Sequence, residues 1–562
     1  MQPRQGALGA LRDLWFRPRT TQQAAVIVAA WIAFTGNLAL WRALSDVVSG
    51  PRGAFAATAV AVLLWATNVA LLALLSWNRH LRWTWLLVVA LAACAQHAML
   101  AFGLVVDVGM IGNAVQTDAN ELGDLLTPLL ALHLALLIGP PALWLTQVPI
   151  VRASGRRAAW RSARLFVLSL AVVALVGVVS FGVLAPLVRG NMHLRFLPNP
   201  STPIASMVRV VKRSLASHDL GPSIRVGAGL GPRHAAGGKP PLLLLVVGET
   251  ARGDRFTQNG YPRKTTPETS ALEGAMSFRD ARSCGTSTLE SLPCMFSPGG
   301  FAEKGRRPRG SESLLDVVDA AGLAVLWVDN QSGCKGVCDR TPQASTADLA
   351  GTPAGKALCD GEECFDEALL VGLDDRIAAL PAERRSKGIL VVLHQMGSHG
   401  PLYTRRSPPA FKRFTPECTT PELSRCTVDQ VGNAYDNTIA YTDHVLARAA
   451  AWLRTRSDRE DVSMLYLSDH GESLGELGIW LHGLPYAIAP RTQMHVPMLL
   501  WLGEGERQRV DRGCLTASLG ERRSHDNLYP TVLGLLDVTS PTYRSALDLL
   551  APCRTPGKAS SG

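Results

Sequence analysis

Five apolar stretches, at about 23–45, 54–76, 83–106, 125–147 and 165–187, dominate the first third of the chain. Each holds roughly 20 residues, enough to cross a hydrocarbon core of about 30 Å, so the pattern predicts five membrane-spanning helices. Buried core helices are the alternative reading, and the near absence of charge inside five such runs speaks against it. No short apolar core with a small-residue cleavage site comes first, so the opening run reads as a span. Beyond residue 240 the pattern changes. PLLLLVVGE (241–249), LAVLWVDN (323–330), GILVVLHQM (388–396) and VSMLYLSDHGE (462–472) are short continuous apolar runs. They predict strands of a parallel sheet buried on both faces. Helical stretches at 311–321 and 366–380 lie between them, which makes the second part an α/β sandwich. All four strands end in polar, reactive residues, and open α/β sheets carry their sites at strand C-termini.

The stretch between the two parts has its own character. SMVRVVKRSLAS (206–217) interleaves apolar residues with Arg209, Lys212 and Arg213. It reads as a basic amphipathic helix on anionic headgroups, or as a plain linker helix. GAGLGPRHAAGGKPP (227–241) is Gly/Pro-rich and predicts a flexible tether. The organisation expected is a five-helix transmembrane domain (1–187), a bridging helix and linker (188–240), an α/β catalytic domain (241–553) and a disordered tail (554–562).

Charge assigns a side to each part. The net charge is +10, but residues 1–240 hold 21 basic and 7 acidic groups, whereas residues 241–562 hold 35 and 39. A slightly acidic C-terminal part argues against nucleic-acid binding. Residues 1–22 and the second and fourth connections together carry eleven arginines, while the first and third connections carry only Arg52. The excess places the N-terminus in the cytoplasm, and five crossings then place everything after residue 187 on the far side. Cysteine usage agrees. Of 11 cysteines, Cys94 lies in the third span and ten follow residue 240. Close pairs suggest bridges 284–294, 334–338, 359–364 and 418–426, leaving 514–553, as in an oxidising compartment. A zinc ribbon would need CxxC pairs, and none occurs.

The candidate chemistry sits at the strand ends. Glu249 closes the first strand, and Asp469 and His470 close the last; carboxylate and imidazole are zinc ligands by type. Singly, each reads as a helix cap or a surface turn, and it is their joint placement that points to a metal. SCGTSTLESLPC (283–294) offers hydroxyls inside a disulfide loop. A Thr there, on a metal, becomes a nucleophile because coordination lowers its pKa. His394 and His399 in LHQMGSHGP, with His482 in WLHG, are candidates for a second metal or a substrate phosphate.

Taken in order, VVGET (246–250), GYPRKTTP (260–267), SCGTST…PCMFS (283–297), DNQSGCKGVC (329–338), HQMGSHGP (394–401), SDHGESLGE (468–476) and LHG (481–483) resemble the membrane phosphoethanolamine transferases. These include the lipid A phosphoethanolamine transferases and the mobile colistin-resistance enzymes, within the alkaline phosphatase and sulfatase superfamily. The resemblance spans nearly the whole chain. It implies that Glu249, Asp469 and His470 hold a catalytic zinc. It implies that Thr288 both ligates that zinc and carries the transferred group as a phosphothreonine. His399, His482 and, with a less defined role, His394 match positions that hold further zinc or the acceptor phosphate. Gln331, Ser332 and Lys335 match the stretch binding the phosphoethanolamine group, with Gln331 where some members have Asn. Asn113, Thr117 and Glu121 match substrate-linked positions in the membrane half and recur on one helix face; pattern alone makes them the polar face of an interfacial helix.

The activity implied is transfer of phosphoethanolamine from phosphatidylethanolamine to a phosphate of lipid A, or to core heptose or another periplasmic glycan. The enzyme implied is a monomer of the bacterial inner membrane with its catalytic domain in the periplasm. A sulfatase would need a C/S-x-P-x-R motif, which CMFSP at 294–298 does not supply. A metal-binding scaffold would need no hydroxyl at the metal.

Overall fold

The computed structural model describes residues 15–77, 80–116, 122–123, 125–216, 226–235, 237–306, 310–360 and 363–555. Thr117 and Glu121 lie outside them. The chain divides into two compact units, residues 1–111 with 125–211, and residues 112–124 with 212–562.

The first unit is helical. Gly50–Trp77, Leu81–Phe102, Pro128–Gln147 and Gly155–Gly190 are each long and apolar enough to cross a membrane. The first expected span differs from a single helix: Thr21–Thr35 and Leu38–Val47 meet at a 54° bend, so five spans result only if the bent pair counts as one. The bend frees backbone groups, which inside a bilayer must find partners. Side chains supply them. Gln96 Oε1 accepts from Leu38 N at 2.7 Å, and Gln96 Nε2 donates to the Thr35 carbonyl at 2.7 Å. Asn37 Nδ2 donates to the carbonyls of Ile32 (2.9 Å) and Asn199 (2.8 Å). The interleaved segment is helical over Ser201–Ala216.

The second unit is built on one eight-stranded sheet. Its strands are β1 (Pro241–Gly248), β2 (Ala275–Arg282), β3 (Ala324–Asp329), β4 (Gln343–Ser345), β5 (Ile389–His394), β6 (Asp461–Ser468), β7 (His495–Leu502) and β8 (Arg522–Ser524). Their spatial order is β8-β2-β7-β6-β1-β5-β3-β4. Only β7 runs against the rest. The four apolar runs read from sequence are therefore the adjacent parallel strands β6-β1-β5-β3. Every residue of β1, β5 and β6 is buried, as expected for a sheet covered on both faces. One covering helix, α1 (Val428–Arg454), starts at a Thr427 and Gln430 capping box. The expected helix 366–380 is instead a short turn, Asp366–Leu370, then a break at Gly372 and the helix Leu373–Ala378.

The Gly/Pro-rich stretch expected to be a flexible tether is pinned to this unit. Gly229–Leu230 pairs antiparallel with Val538–Thr539. Arg233 forms ion pairs with Glu506 and, at 3.3 Å, with Asp461, both buried acids that need a cation. At the other end Thr555, within the expected tail, donates its N–H to the Arg509 carbonyl at 3.0 Å, and residues 556–562 lie outside the described residues. All five expected disulfides are present, 284–294, 334–338, 359–364, 418–426 and 514–553, and Cys94 is free.

Candidate active site

The parallel strands deliver their last residues to one edge. Glu249 follows β1, Asp469 and His470 follow β6, His394 ends β5, and Gln331 lies just beyond β3. Thr288 opens the helix α2 (Thr288–Met295), inside the Cys284–Cys294 loop. Its Oγ1 donates to Glu249 Oε2 at 3.0 Å and lies 3.4 Å from His470 Nε2. His470 Nε2 lies 3.3 Å from Glu249 Oε1 and 3.4 Å from Asp469 Oδ2. One ligand atom each from Glu249, Asp469 and His470 falls within 4.8 Å of the others.

Strained backbone holds these groups in place. Thr250 sits at φ +51, an unusual conformation for a β-branched residue. Its N–H donates to Asp469 Oδ1 at 3.2 Å, and its carbonyl accepts from the Tyr435 hydroxyl of α1 at 2.6 Å. Gly397, at φ +53, lies so close to Glu249 that a Cβ there would come 2.6 Å from the Glu249 carbonyl oxygen.

The electrostatics favour a cation. Burial, then the neighbouring Glu249, push the Asp469 carboxyl up to about 6. Burial alone would lower the His470 imidazole, yet Asp469 and Glu249 outweigh it and hold it at about 10. Burial also opposes ionisation of Glu249, but the adjacent His470 imidazole holds it well below the usual carboxylate range. Two buried carboxylates facing one imidazole carry more negative charge than neutral neighbours can balance. Glu249 Oε1 and Asp469 Oδ2 are buried without a hydrogen-bond partner among the described residues. That donor set fits a divalent cation such as zinc.

The other histidines gather around this cluster. The His470 and His482 ring centroids are 4.3 Å apart, and those of His399 and His482 5.8 Å apart. Burial pulls the His399 imidazole down to about 3, which leaves it neutral and able to act as a ligand. A common device orients three of the rings. His470 Nδ1 donates to the Gly471 carbonyl at 2.9 Å, His394 Nδ1 lies 2.8 Å from Asp329 Oδ1, and His482 Nδ1 lies 3.3 Å from Glu472 Oε1. With Nδ1 engaged, each ring keeps Nε2 for the site, the arrangement that fixes tautomers in metal centres. His394 Nε2 is buried without a partner among the described residues.

A family model described as sulfatase matches residues 241–538, and one described as phosphoethanolamine transferase EptA/EptB matches residues 64–215. The chain is 41% identical to phosphoethanolamine transferase EptA of Salmonella typhimurium over 488 residues, covering 85% of this chain and 86% of that protein. It is 35% identical to phosphatidylethanolamine transferase Mcr-1 of Escherichia coli over 536 residues, covering 94% and 97%. Its fold matches the integral membrane lipooligosaccharide phosphoethanolamine transferase A of Neisseria meningitidis, with a TM-score of 0.89, 31% identity and coverage of 96% and 100%.

This chain belongs to the phosphoethanolamine transferase family.

In this transferase the remaining predicted residues divide. Gln331 Nε2 donates to Glu249 Oε2 at 3.0 Å, so it touches the cluster itself. Gln331 Oε1 accepts from the Ser332 hydroxyl at 2.6 Å, and Lys335 Nζ donates to that same hydroxyl oxygen at 2.8 Å. A continuous chain thus runs from a cation to Glu249. Asn113 lies next to the loop after His482, its Nδ2 3.5 Å from where a Cβ on Gly483 would stand. Asp329 and Glu472, the holders of His394 and His482, went unrecognised in the sequence. The signal was available in both: Asp329 opens the DNQSG motif, and Glu472 is the Glu of DHGE.

Proposed function

We propose that this chain moves phosphoethanolamine from phosphatidylethanolamine to a phosphate of lipid A, by way of a phosphothreonine at Thr288. The observation that carries the reading is the Thr288 hydroxyl, buried and 3.0 Å from Glu249, at an edge where two further ligand-type residues converge. In the first half-reaction Thr288 Oγ1 forms a bond to the donor phosphorus, and the phosphorus–oxygen bond to glycerol breaks, releasing diacylglycerol. In the second, an oxygen of a lipid A phosphate takes the place of Oγ1 and restores the hydroxyl. Glu249, Thr288, Asp469 and His470 would hold a zinc ion, which would supply Lewis-acid stabilisation of the phosphoryl oxygens and a lowered hydroxyl pKa.

The chain's own groups do the rest. Gln331 fixes Glu249, and Ser332 and Lys335 receive the phosphoethanolamine group, Lys335 adding positive charge. His399 and His482, with His394 behind, hold the acceptor phosphate or a second zinc. The spans keep the enzyme where both lipids lie. The arginine asymmetry and the five disulfides support an inner-membrane protein with this unit in the periplasm. The names of relatives support the donor and the transferred group. The added ammonium lowers the net negative charge of the lipid, which weakens binding of polymyxin and other cationic peptides.

Mass spectrometry of lipid A from cells expressing the wild type or the Thr288→Ala variant tests this. A gain of one phosphoethanolamine unit, absent with the variant, is the expected result. Unchanged lipid A alongside modified core heptose would move the acceptor. Full modification by the variant would remove the nucleophile.

A further inference from the structure

Two loops must keep register for Thr288 to meet its neighbours. One runs from Ser283 to Thr288 and carries the hydroxyl; the other runs from Ser468 to His470 and carries two of the three ligand-type side chains. They belong to different strands, β2 and β6, which are separated in the sheet by β7. A single fully buried residue from a third segment, His525, bonds to both. The Cys284 backbone N–H donates to His525 Nδ1 at 3.1 Å, and His525 Nε2 lies 2.9 Å from the Ser468 carbonyl oxygen.

The partners dictate the chemistry. A backbone N–H can only donate and a carbonyl can only accept, so the ring must be neutral, with its hydrogen on Nε2. Burial, which pulls this imidazole down to about 4, agrees. Both bonded residues are themselves anchors. The Cys284 carbonyl accepts from Lys304 Nζ at 3.0 Å, and its side chain is tied by the bridge to Cys294 at the far end of α2. The Ser468 hydroxyl accepts from Ala251 N at 2.8 Å and donates to the His470 carbonyl at 3.0 Å, so Ser468 links the segment after Glu249 to His470. The segment holding His525 is fixed by a capping box between Ser524 and Asn527.

We infer that His525 is a positioning residue, a rigid two-ended bridge that sets where the Thr288 hydroxyl stands relative to Glu249, Asp469 and His470. The inference rests on the reading of Thr288 as a nucleophile beside a divalent cation, and it assigns the register of that nucleophile to a residue outside the ligand-type cluster. A planar ring with an acceptor on one side and a donor on the other couples the loops without the rotamer freedom of a longer polar chain.

The test uses full-length protein in detergent, loaded with Zn2+ or Co2+. His525→Asn offers an acceptor near Nδ1 and no donor at Ser468, and His525→Gln the reverse, so each keeps one bond to support folding. The readouts are bound metal per chain, the visible spectrum of the Co2+ form, and kcat and KM for headgroup transfer. In both variants kcat per bound ion is expected to fall roughly 10–100-fold, the scale on which partners of ligating residues act, with KM within about twofold. The Co2+ spectra are expected to move toward that of Thr288→Ala. Wild-type spectra and wild-type kcat per bound ion in both variants would overturn the inference. So would activity that falls only in step with bound metal, because His525 would then hold the fold rather than the hydroxyl. Should the wild type bind Co2+ and transfer no headgroup, the transferase reading fails, while the spectra still decide what His525 places.

Discussion

Replacing Gly397 with Ala inserts one methyl group against Glu249, and the structure sets the size of the effect. At φ +53 a non-glycine residue costs about 1–2 kcal/mol of backbone strain. The new Cβ would also stand 2.6 Å from the Glu249 carbonyl oxygen, 3.0 Å from its nitrogen and 3.1 Å from its Cβ. Relief to ordinary van der Waals separation needs a movement of about 0.3–0.8 Å. Metal sites tolerate roughly 0.2 Å in ligand distance, so the variant is expected to lose affinity for Zn2+ by about tenfold or more. Gly372→Ala is the control. It too has a left-handed φ, +67, but nothing within 4 Å of a built Cβ. Its backbone cost alone lowers Tm by about 2–4 °C per kcal/mol, with Zn2+ affinity unchanged. Competition against a chromophoric chelator gives the affinities, and thermal melting gives the stabilities. Zn2+ affinity in Gly397→Ala equal to that in Gly372→Ala would refute the view that Gly397 is small for the sake of Glu249.

Other consequences follow from single contacts. Asp329→Asn weakens the hold on His394 Nδ1 and is expected to lower turnover about 10–100-fold with folding preserved, as measured by headgroup transfer and circular dichroism. Asp366 accepts from Asn330 Nδ2, Met396 N and Gly397 N, so Asp366→Asn sets an amide donor against donors and is expected to cost about 1–3 kcal/mol by chemical denaturation. Burial holds the Asp366 carboxyl above its ordinary range; its share of stability is present below the unfolded-state value and lost as pH rises through the raised one, a slope the Asn variant lacks. Removing the 514–553 bridge, which closes a separation of 39 residues, is expected to cost about 4 kcal/mol by melting of the paired Ser variant.

How much was legible in the sequence depends on the kind of signal. The adjacent parallel strands β6-β1-β5-β3 were visible because burial on both faces writes an unbroken apolar run. β2 was not, because its partly exposed sequence, AMSFRDAR, mixes charges into the pattern. The bend in the first span was hidden because Gly36–Asn37 breaks the helix without breaking the hydropathy; its partners, Gln96 and Asn199, lie far along the chain. The tether looked flexible by composition, whereas Arg233 is fixed by acids more than 200 residues away. Glu249, Thr288, Asp469 and His470 could be listed from strand ends and family motifs. Their distances could not, and neither could His525, whose ring among the described residues bonds to backbone and so leaves no paired side chain to search for.

The most direct test of the central claim is mass spectrometry of the peptide containing Thr288 after incubation with phosphatidylethanolamine and no acceptor. The account predicts a phosphoethanolamine group on Thr288 that disappears when lipid A is added. An unmodified Thr288 peptide during sustained transfer, or the group on another residue, would contradict it.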